Sequence, residues 1–400
     1  MDYSHKLDSI VFITEDIFGE SIGGVEQHIY HIAKELAKLG KNITIISLKT
    51  GLVSSRKSEV IYKNKGNVIL IKLVKKNPLL KPLLFLEKRI SGNGGMLVGF
   101  LGKLLPNFHA LALIKEIDKI SPDLIHQHDY LANILASKVL SKRYPVFFTN
   151  HTGQYLFLER YTFTRYIQRW LINHYAAIIG PSKELTPNDP RATYISNGVD
   201  IDFFQRDGGD IQEDRIVFIC PRRWAPTKGV LYLAKALYEL DNRHKAKVKI
   251  LFAGSDSDDF PWYRDQILEV LSKVPKESFD LLGNLTQEAL RSYFSKSHIV
   301  VIPSLMEATS LAAMEGMSCC LPVLSTDVGG MPEVVDQDIT GWLVASEDHK
   351  ALAAKMTEII DGKYDISRMG LAARDFVRDK KSWKGIAQAV IKTYISGLRS

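Results

Sequence analysis

Short apolar runs alternate along this chain with stretches whose apolar residues recur at helical spacing. Residues 9–14 read as a strand, and Val25, Ile29, Ala33 and Leu36 mark the inner face of a helix that stops before Gly40. Residues 42–48 return as a strand. Strand, helix and strand at this spacing predict a βαβ unit, and hence a parallel sheet with right-handed crossovers. Strands at 123–126, 146–149 and 176–180 and a helix over 131–139 continue the pattern. Asn197-Gly198-Val199-Asp200 and Arg206-Asp207-Gly208-Gly209-Asp210 then have the turn-forming composition of a linker. Beyond them the alternation restarts, with strands at 215–220, 248–253, 279–282 and 298–302 and helices at 230–238, 263–274 and 287–294. The pattern predicts an α/β protein of two Rossmann-like doubly wound domains, residues 1–200 and 201–381, facing one interdomain cleft. A C-terminal segment, 382–400, places Trp383, Ile386, Val390 and Tyr394 on one helical face.

Composition narrows the setting. At 400 residues, 46% hydrophobic and 24% charged, the chain is long enough for two cores. Three cysteines, two of them adjacent at Cys319 and Cys320, give neither a disulfide framework nor metal-ligand spacing, which points to a reducing compartment. The N-terminal residues carry no secretory pattern, and no run of about 20 uncharged apolar residues spans a bilayer. A cytoplasmic protein is expected. The net charge of +7 is concentrated between residues 51 and 110, which hold 11 basic residues and two acids.

The stretch Pro303-Ser304-Leu305-Met306-Glu307-Ala308-Thr309-Ser310-Leu311-Ala312-Ala313-Met314-Glu315 follows the strand at 298–302. A helix starting after Glu307 puts that carboxylate at a strand-to-helix turn, where ligands bind in open α/β sheets. The N–H groups of Thr309, Ser310 and Leu311 would then face the crevice with the positive end of the helix dipole, ready for a phosphate or sugar oxygen. Glu315 reaches a second polar part of the same ligand.

These glutamates belong to an ordered set. Gly23-Gly24-Val25-Glu26, Asp123-Leu124-Ile125-His126, Thr149-Asn150-His151, Ile195-Ser196-Asn197-Gly198-Val199-Asp200, Arg223 with Lys228-Gly229, and Asp327-Val328-Gly329-Gly330-Met331-Pro332-Glu333 accompany them. The set resembles the nucleotide-sugar-dependent retaining glycosyltransferases of GT-B fold, family 4. That resemblance implies a nucleoside-diphosphate sugar donor, UDP or GDP, and transfer of a hexose-class sugar to a glycan or lipid-linked acceptor, as in cell-envelope polysaccharide or glycolipid synthesis. Arg223 and Lys228 would converge on the diphosphate, an Arg fork and a compact Lys charge meeting the leaving group. One departure is Arg222, where the family commonly has Gly. Glu315 would bind the ribose diol, Glu307 the sugar hydroxyls, and His151 would lie beside the transferred sugar. Gly23 and Gly24 would let backbone approach the ligand closely. Thr309-Ser310 replaces the aromatic-Gly pair common in the family, so donor identity does not carry over. The last helix would cross back to the first domain.

No metal and no cofactor are expected. His126 and His128, alternate residues that share a strand face, could with Asp129 be read as metal ligands but lack a further ligand cluster, and Asp256-Ser257-Asp258-Asp259 lies in a loop of ordinary polar composition. With no enzymic nucleophile in view, retention through a front-face route is expected. Leu79, Leu80, Leu83, Leu84, Phe85 and Leu86 interleave with Lys81, Lys88 and Arg89, a composition suited to an anionic membrane surface or to acceptor binding. Nucleic acid is not an expected partner. The alternatives are a non-catalytic sugar-nucleotide-binding subunit of a glycan assembly complex and a GT-B-fold nucleotide-sugar epimerase.

Overall fold

A computed structural model of the chain describes residues 7–15, 24–79, 82, 85, 102–128, 130–151, 162–207, 214–256 and 260–399. The chain forms two compact units, Met1–Ile195 with Ile386–Ser400, and Ser196–Gly385.

In the first unit the described elements are β1 (Ser9–Thr14), α1 (Gly24–Lys38), β2 (Asn42–Gly51), β3 (Ser55–Lys63), β4 (Asn67–Lys76), α2 (Ala110–Ile120), β5 (Leu124–Gln127), α3 (Ile134–Leu140), β6 (Val146–Thr149), α4 (Thr162–Ile172), β7 (Ala177–Gly180) and β8 (Ala192–Tyr194). They build a sheet of order β3-β4-β2-β1-β5-β6-β7-β8, parallel throughout except for β3, which runs antiparallel to β4. Strands β5, β6 and β7 are buried at every position, as a parallel sheet covered on both faces requires. One face is covered by α2, α3 and α4, whose Leu113, Ile114, Ile117, Ile134, Ala136, Leu140 and Ile172 pack with Val11, Ile13, Ile125 and Phe148.

The N-terminal part of the basic segment 51–110 is a hairpin. Arg56, Lys57 and Lys63 lie on β3 and Lys72, Lys75 and Lys76 on β4, an edge hairpin whose outer strand is almost wholly exposed. Charge on an edge strand prevents further strand pairing. The apolar-basic run at 79–89 falls outside the described residues except for Leu79, Pro82 and Phe85, as does residue 96–101 of the apolar run that follows.

The second unit contains β9 (Ile216–Cys220), α5 (Val230–Glu239), β10 (Val248–Phe252), α6 (Pro261–Leu271), β11 (Phe279–Leu281), α7 (Gln287–Ser295), β12 (Ile299–Ile302), α8 (Leu311–Ser318), β13 (Val323–Thr326), β14 (Gly341–Val344), α9 (His349–Ile360) and α10 (Ile366–Lys380). Its sheet is wholly parallel, in the order β11-β10-β9-β12-β13-β14. Strand order reverses between β9 and β12, so the loops leaving these two strands diverge to opposite faces and leave a crevice.

The boundary at Ile195 falls ahead of the polar stretch expected to be the linker. Ser196 to Val199 are tied into the second unit, where Val199 N donates to Lys381 O at 2.8 Å and Lys381 Nζ donates to Ser196 Oγ at 3.0 Å. The last helix, α11 (Trp383–Gly397), starts in the second unit with Trp383 against Gly198 and belongs to the first from Ile386 onward. There Tyr394 is fully buried, its hydroxyl 2.7 Å from His126 Nδ1 and its ring beside Phe147.

Candidate active site

The crevice of the second unit is shaped by backbone that only glycine can supply. Gly229, at the end of the β9–α5 loop, has φ +66°, and a Cβ there would lie 1.7 Å from Pro303 O on the β12–α8 loop. The two loops are further joined by Leu305 N donating to Thr227 O at 2.9 Å. From the β13 side, Gly330 packs so closely that a Cβ would meet Ala308 O at 1.9 Å, and its N–H donates to Glu307 O at 3.3 Å. Glu307 is thereby fixed at the mouth of the crevice.

Around Glu307 stands a polar cluster. Arg222 and Lys228 both pair with Glu307 Oε2, Lys228 at 3.1 Å, and Ser304 Oγ donates to the same oxygen at 3.2 Å. Arg222 also donates to Ser304 Oγ at 3.1 Å and to Ser310 Oγ at 3.3 Å. The side chains of Arg222, Glu307 and Lys228 are 9%, 11% and 27% exposed, so their charges act through little water. Burial, reinforced by Arg222 and Arg223, pushes the Lys228 ammonium down to about 7, with the Glu307 carboxylate acting in the opposite sense. Glu315, one turn into α8, is raised by burial to about 7, and Arg222 holds it from rising further.

Two sequence expectations change here. Arg223, chosen for the diphosphate, is exposed, and the arginine that enters the cluster is Arg222. Alternate side chains of an extended segment share a side. Trp224 is buried and its backbone N–H donates to Ser255 O at 2.9 Å, so Arg222 turns inward with it and Arg223 outward. The second change concerns the helix start. Thr309 and Ser310 are buried but precede α8, which begins at Leu311; Ser310 is its N-cap and accepts from Ala313 N at 3.3 Å. Of the three residues expected to offer helical N–H groups, Leu311 alone is in the helix.

The first unit has its own cluster, at the corresponding strand-order reversal between β1 and β5. His28 on α1, His128 after β5 and His151 after β6 bring ligating nitrogens within 4.8 Å of one another. His128 Nδ1 and His151 Nε2 share a hydrogen bond of 3.1 Å, and His126 is held between Thr149 Oγ1 and Tyr394 OH, both at 2.7 Å. Burial lowers His126 to about 3 and takes His128 and His151 well below the ordinary imidazole range, the neighbouring histidines adding to it. All three are neutral at physiological pH. Neutral imidazoles at this spacing are chemically fit to ligate a transition metal, and equally fit to form a hydrogen-bonded chain. Sequence spacing had linked only His126, His128 and Asp129; His28 and His151 arrive from other elements. Gly24 opens α1, whereas Gly23, Asp129 and Ser257 to Asp259 lie outside the described residues.

Comparison with known proteins gives the family of the chain. The family model described as Glycosyltransferase Family 4 matches residues 22–203, and the one described as Glycosyl transferases group 1 matches residues 202–376. The chain belongs to the family 4 glycosyltransferases of GT-B fold. Among relatives, this glycosyltransferase is 23% identical over 405 residues to the phosphatidylinositol N-acetylglucosaminyltransferase gpi3 subunit of Schizosaccharomyces pombe, covering 96% of this chain and 80% of that one. It is 26% identical over 226 residues to the alpha-maltose-1-phosphate synthase of Mycobacterium tuberculosis, covering 52% and 57%. Its fold matches that of Anabaena HepE, solved in complex with UDP, with a TM-score of 0.73 at 16% identity over 97% of this chain and 100% of that one. Sucrose-phosphate synthase of Thermosynechococcus elongatus matches with a TM-score of 0.73 at 18% identity, over 97% and 98%. No helix of the described residues is long and apolar enough to cross a membrane.

Proposed function

We propose that this glycosyltransferase moves a hexose-class sugar, with retention and without a metal ion, from a nucleoside-diphosphate sugar to a glycan or lipid-linked acceptor. The observation that carries the reading is the Arg222–Lys228–Glu307 cluster at the crevice between β9 and β12, with Glu315 beside it. UDP is the favoured nucleotide, because HepE was solved with UDP and with UDP-glucose and a trehalose-6-phosphate structure from E. coli with UDP-2-fluoro glucose.

The chemistry follows from the charges. Glu307 occupies the anion position between Arg222 and Lys228. An arriving diphosphate competes for both cations, and Glu307, relieved of them, accepts hydrogen bonds from sugar hydroxyls instead. As the glycosidic bond lengthens, charge grows on the β-phosphate and the two cations stabilise it; losing one should cost roughly 2–4 kcal/mol of barrier, as for a lost oxyanion donor. Cations already in place make a divalent ion unnecessary. Glu315 suits the ribose diol, whose two donors would favour its ionised form. The part expected of His151 is that of a neutral hydrogen-bonding group, since burial denies it a proton.

Product analysis by NMR tests retention: an inverted anomeric configuration defeats the front-face route. Donor hydrolysis tests catalysis itself. The relative named as a subunit keeps a non-catalytic role in play, and a pure binding subunit would release no nucleotide.

A further inference from the structure

The outer side of the helical layer α2–α3–α4 in the first unit is unlike an ordinary solvated surface. On α2 and the turn before it, Phe108 and Leu111 are more than two-thirds exposed, followed along the same face by exposed Lys115 and Lys119. On α3 and its end, Leu135, Lys138, Val139 and Lys142 recur at i, i+3, i+4 and i+7, with Leu135 and Val139 about half exposed. Tyr166 is 77% exposed and Trp170 54% on α4, with Ile167 and Arg169 beside them.

These residues form one continuous surface, because α2, α3 and α4 all cover the same sheet face. Direct contacts join them. Leu135 N donates to Asn107 Oδ1 at 3.1 Å, and Lys138 Nζ lies 3.3 Å from the centre of the Trp170 ring while donating to Trp170 O at 2.8 Å. Each helix returns antiparallel to the strands it connects. Leu111 and Leu135, in the first turns, therefore lie toward the strand C-terminal edge, the edge that carries the histidine cluster, whereas Lys119, Lys138, Val139 and Trp170 lie toward the other ends of their helices.

We propose that this helical face docks on an anionic lipid bilayer. Its acids are already neutralised: Glu116 pairs with Lys119 and Arg56, and Asp118 with Arg143. What faces outward is aromatic and aliphatic tips interleaved with long basic side chains, the composition of an interfacial belt. A protein partner fits less well, since lysine is depleted from protein interfaces and here it lies between the apolar residues. The site differs from the basic run at 79–89 to which sequence alone directs attention.

The test is co-sedimentation of the full chain with vesicles of equal parts phosphatidylglycerol and phosphatidylcholine, against phosphatidylcholine alone. Wild type should pellet with the mixed vesicles and far less with the neutral ones, and salt should weaken the binding. Lys142→Glu with Arg169→Glu should lower partition roughly thirtyfold or more, at about a kcal/mol per basic residue. Tyr166→Ser with Trp170→Ser should weaken binding while keeping its salt dependence. If either pair disturbs folding, quenching of wild-type tryptophan emission by bromine-labelled lipid reads the same contact, and the signal should vanish in Trp170→Phe. Wild type that stays in the supernatant, variants that pellet like wild type, or quenching that survives Trp170→Phe each overturn the proposal. Donor hydrolysis in lipid-free buffer is scored separately, so loss of membrane binding and loss of the transferase reading are distinguishable.

Discussion

Replacing Glu307 by Gln should lower stability and raise affinity for a nucleoside diphosphate in one step. The carboxylate is the counter-ion of Arg222 and Lys228, and all three side chains are largely withdrawn from water. Removing one partner of a buried pair costs about 3–5 kcal/mol; with Lys228 partly solvated and the amide oxygen still able to accept, about 3 kcal/mol is the expected loss. For a unit of this length that lowers the unfolding temperature by roughly 6–12 °C. A diphosphate restores the missing anion, and in the variant it no longer competes with Glu307. Up to about 3 kcal/mol then returns as binding, an upper limit near a hundredfold. Thermal unfolding of wild type and Glu307→Gln, with and without saturating UDP or GDP, measures both effects. The reasoning fails if the variant unfolds at the wild-type temperature, or if the nucleotide stabilises it no more than it stabilises wild type. Turnover should fall in the same protein, because the sugar hydroxyls lose their acceptor.

Three further outcomes follow from the same geometry. With Lys228 lowered to about 7 and a diphosphate returning it toward its ordinary range, nucleotide binding should take up close to one proton at pH 8 and weaken as pH rises above 7; calorimetry in buffers of different ionisation heat reads this, and Glu315, raised to about 7, is already ionised there. Gly229→Ala should cost more than about 2 kcal/mol, since left-handed backbone and contact with Pro303 O both oppose a Cβ, and an unchanged denaturation midpoint would refute the clamp between the two loops. Exhaustive chelation should leave sugar transfer intact, whereas loss restored by zinc would assign a metal to His28, His128 and His151.

Much of the architecture is legible in the chain because parallel strands covered on both faces are short apolar runs: 9–14 and 146–149 coincide with β1 and β6, and 298–302 contains β12. Strand β3 escapes that signal, since charges at Arg56, Lys57 and Glu59 on an exposed edge erase the apolar run, whereas β4 does carry one at Val68-Ile69-Leu70-Ile71 that the sequence reading passes over. Glu307, Glu315 and Lys228 can be picked out as a set by their spacing. Which of two adjacent arginines turns inward cannot, because it depends on Trp224 docking against Ser255 in a different loop. The start of α8 does carry a local signal, Ser310 ahead of an apolar run, and reading the helix from Thr309 overlooks that cap. The histidine cluster draws on α1, β5 and β6, whose proximity only the sheet order supplies.

The most direct measurement is a calorimetric titration of the preferred nucleoside diphosphate into wild type, Arg222→Ala and Arg223→Ala. Binding should fall by roughly thirtyfold or more without Arg222, as for a lost charge-assisted contact of about 2 kcal/mol or more, and by only a few-fold without the exposed Arg223. Wild-type affinity in Arg222→Ala would place the diphosphate elsewhere and contradict the assignment of this crevice.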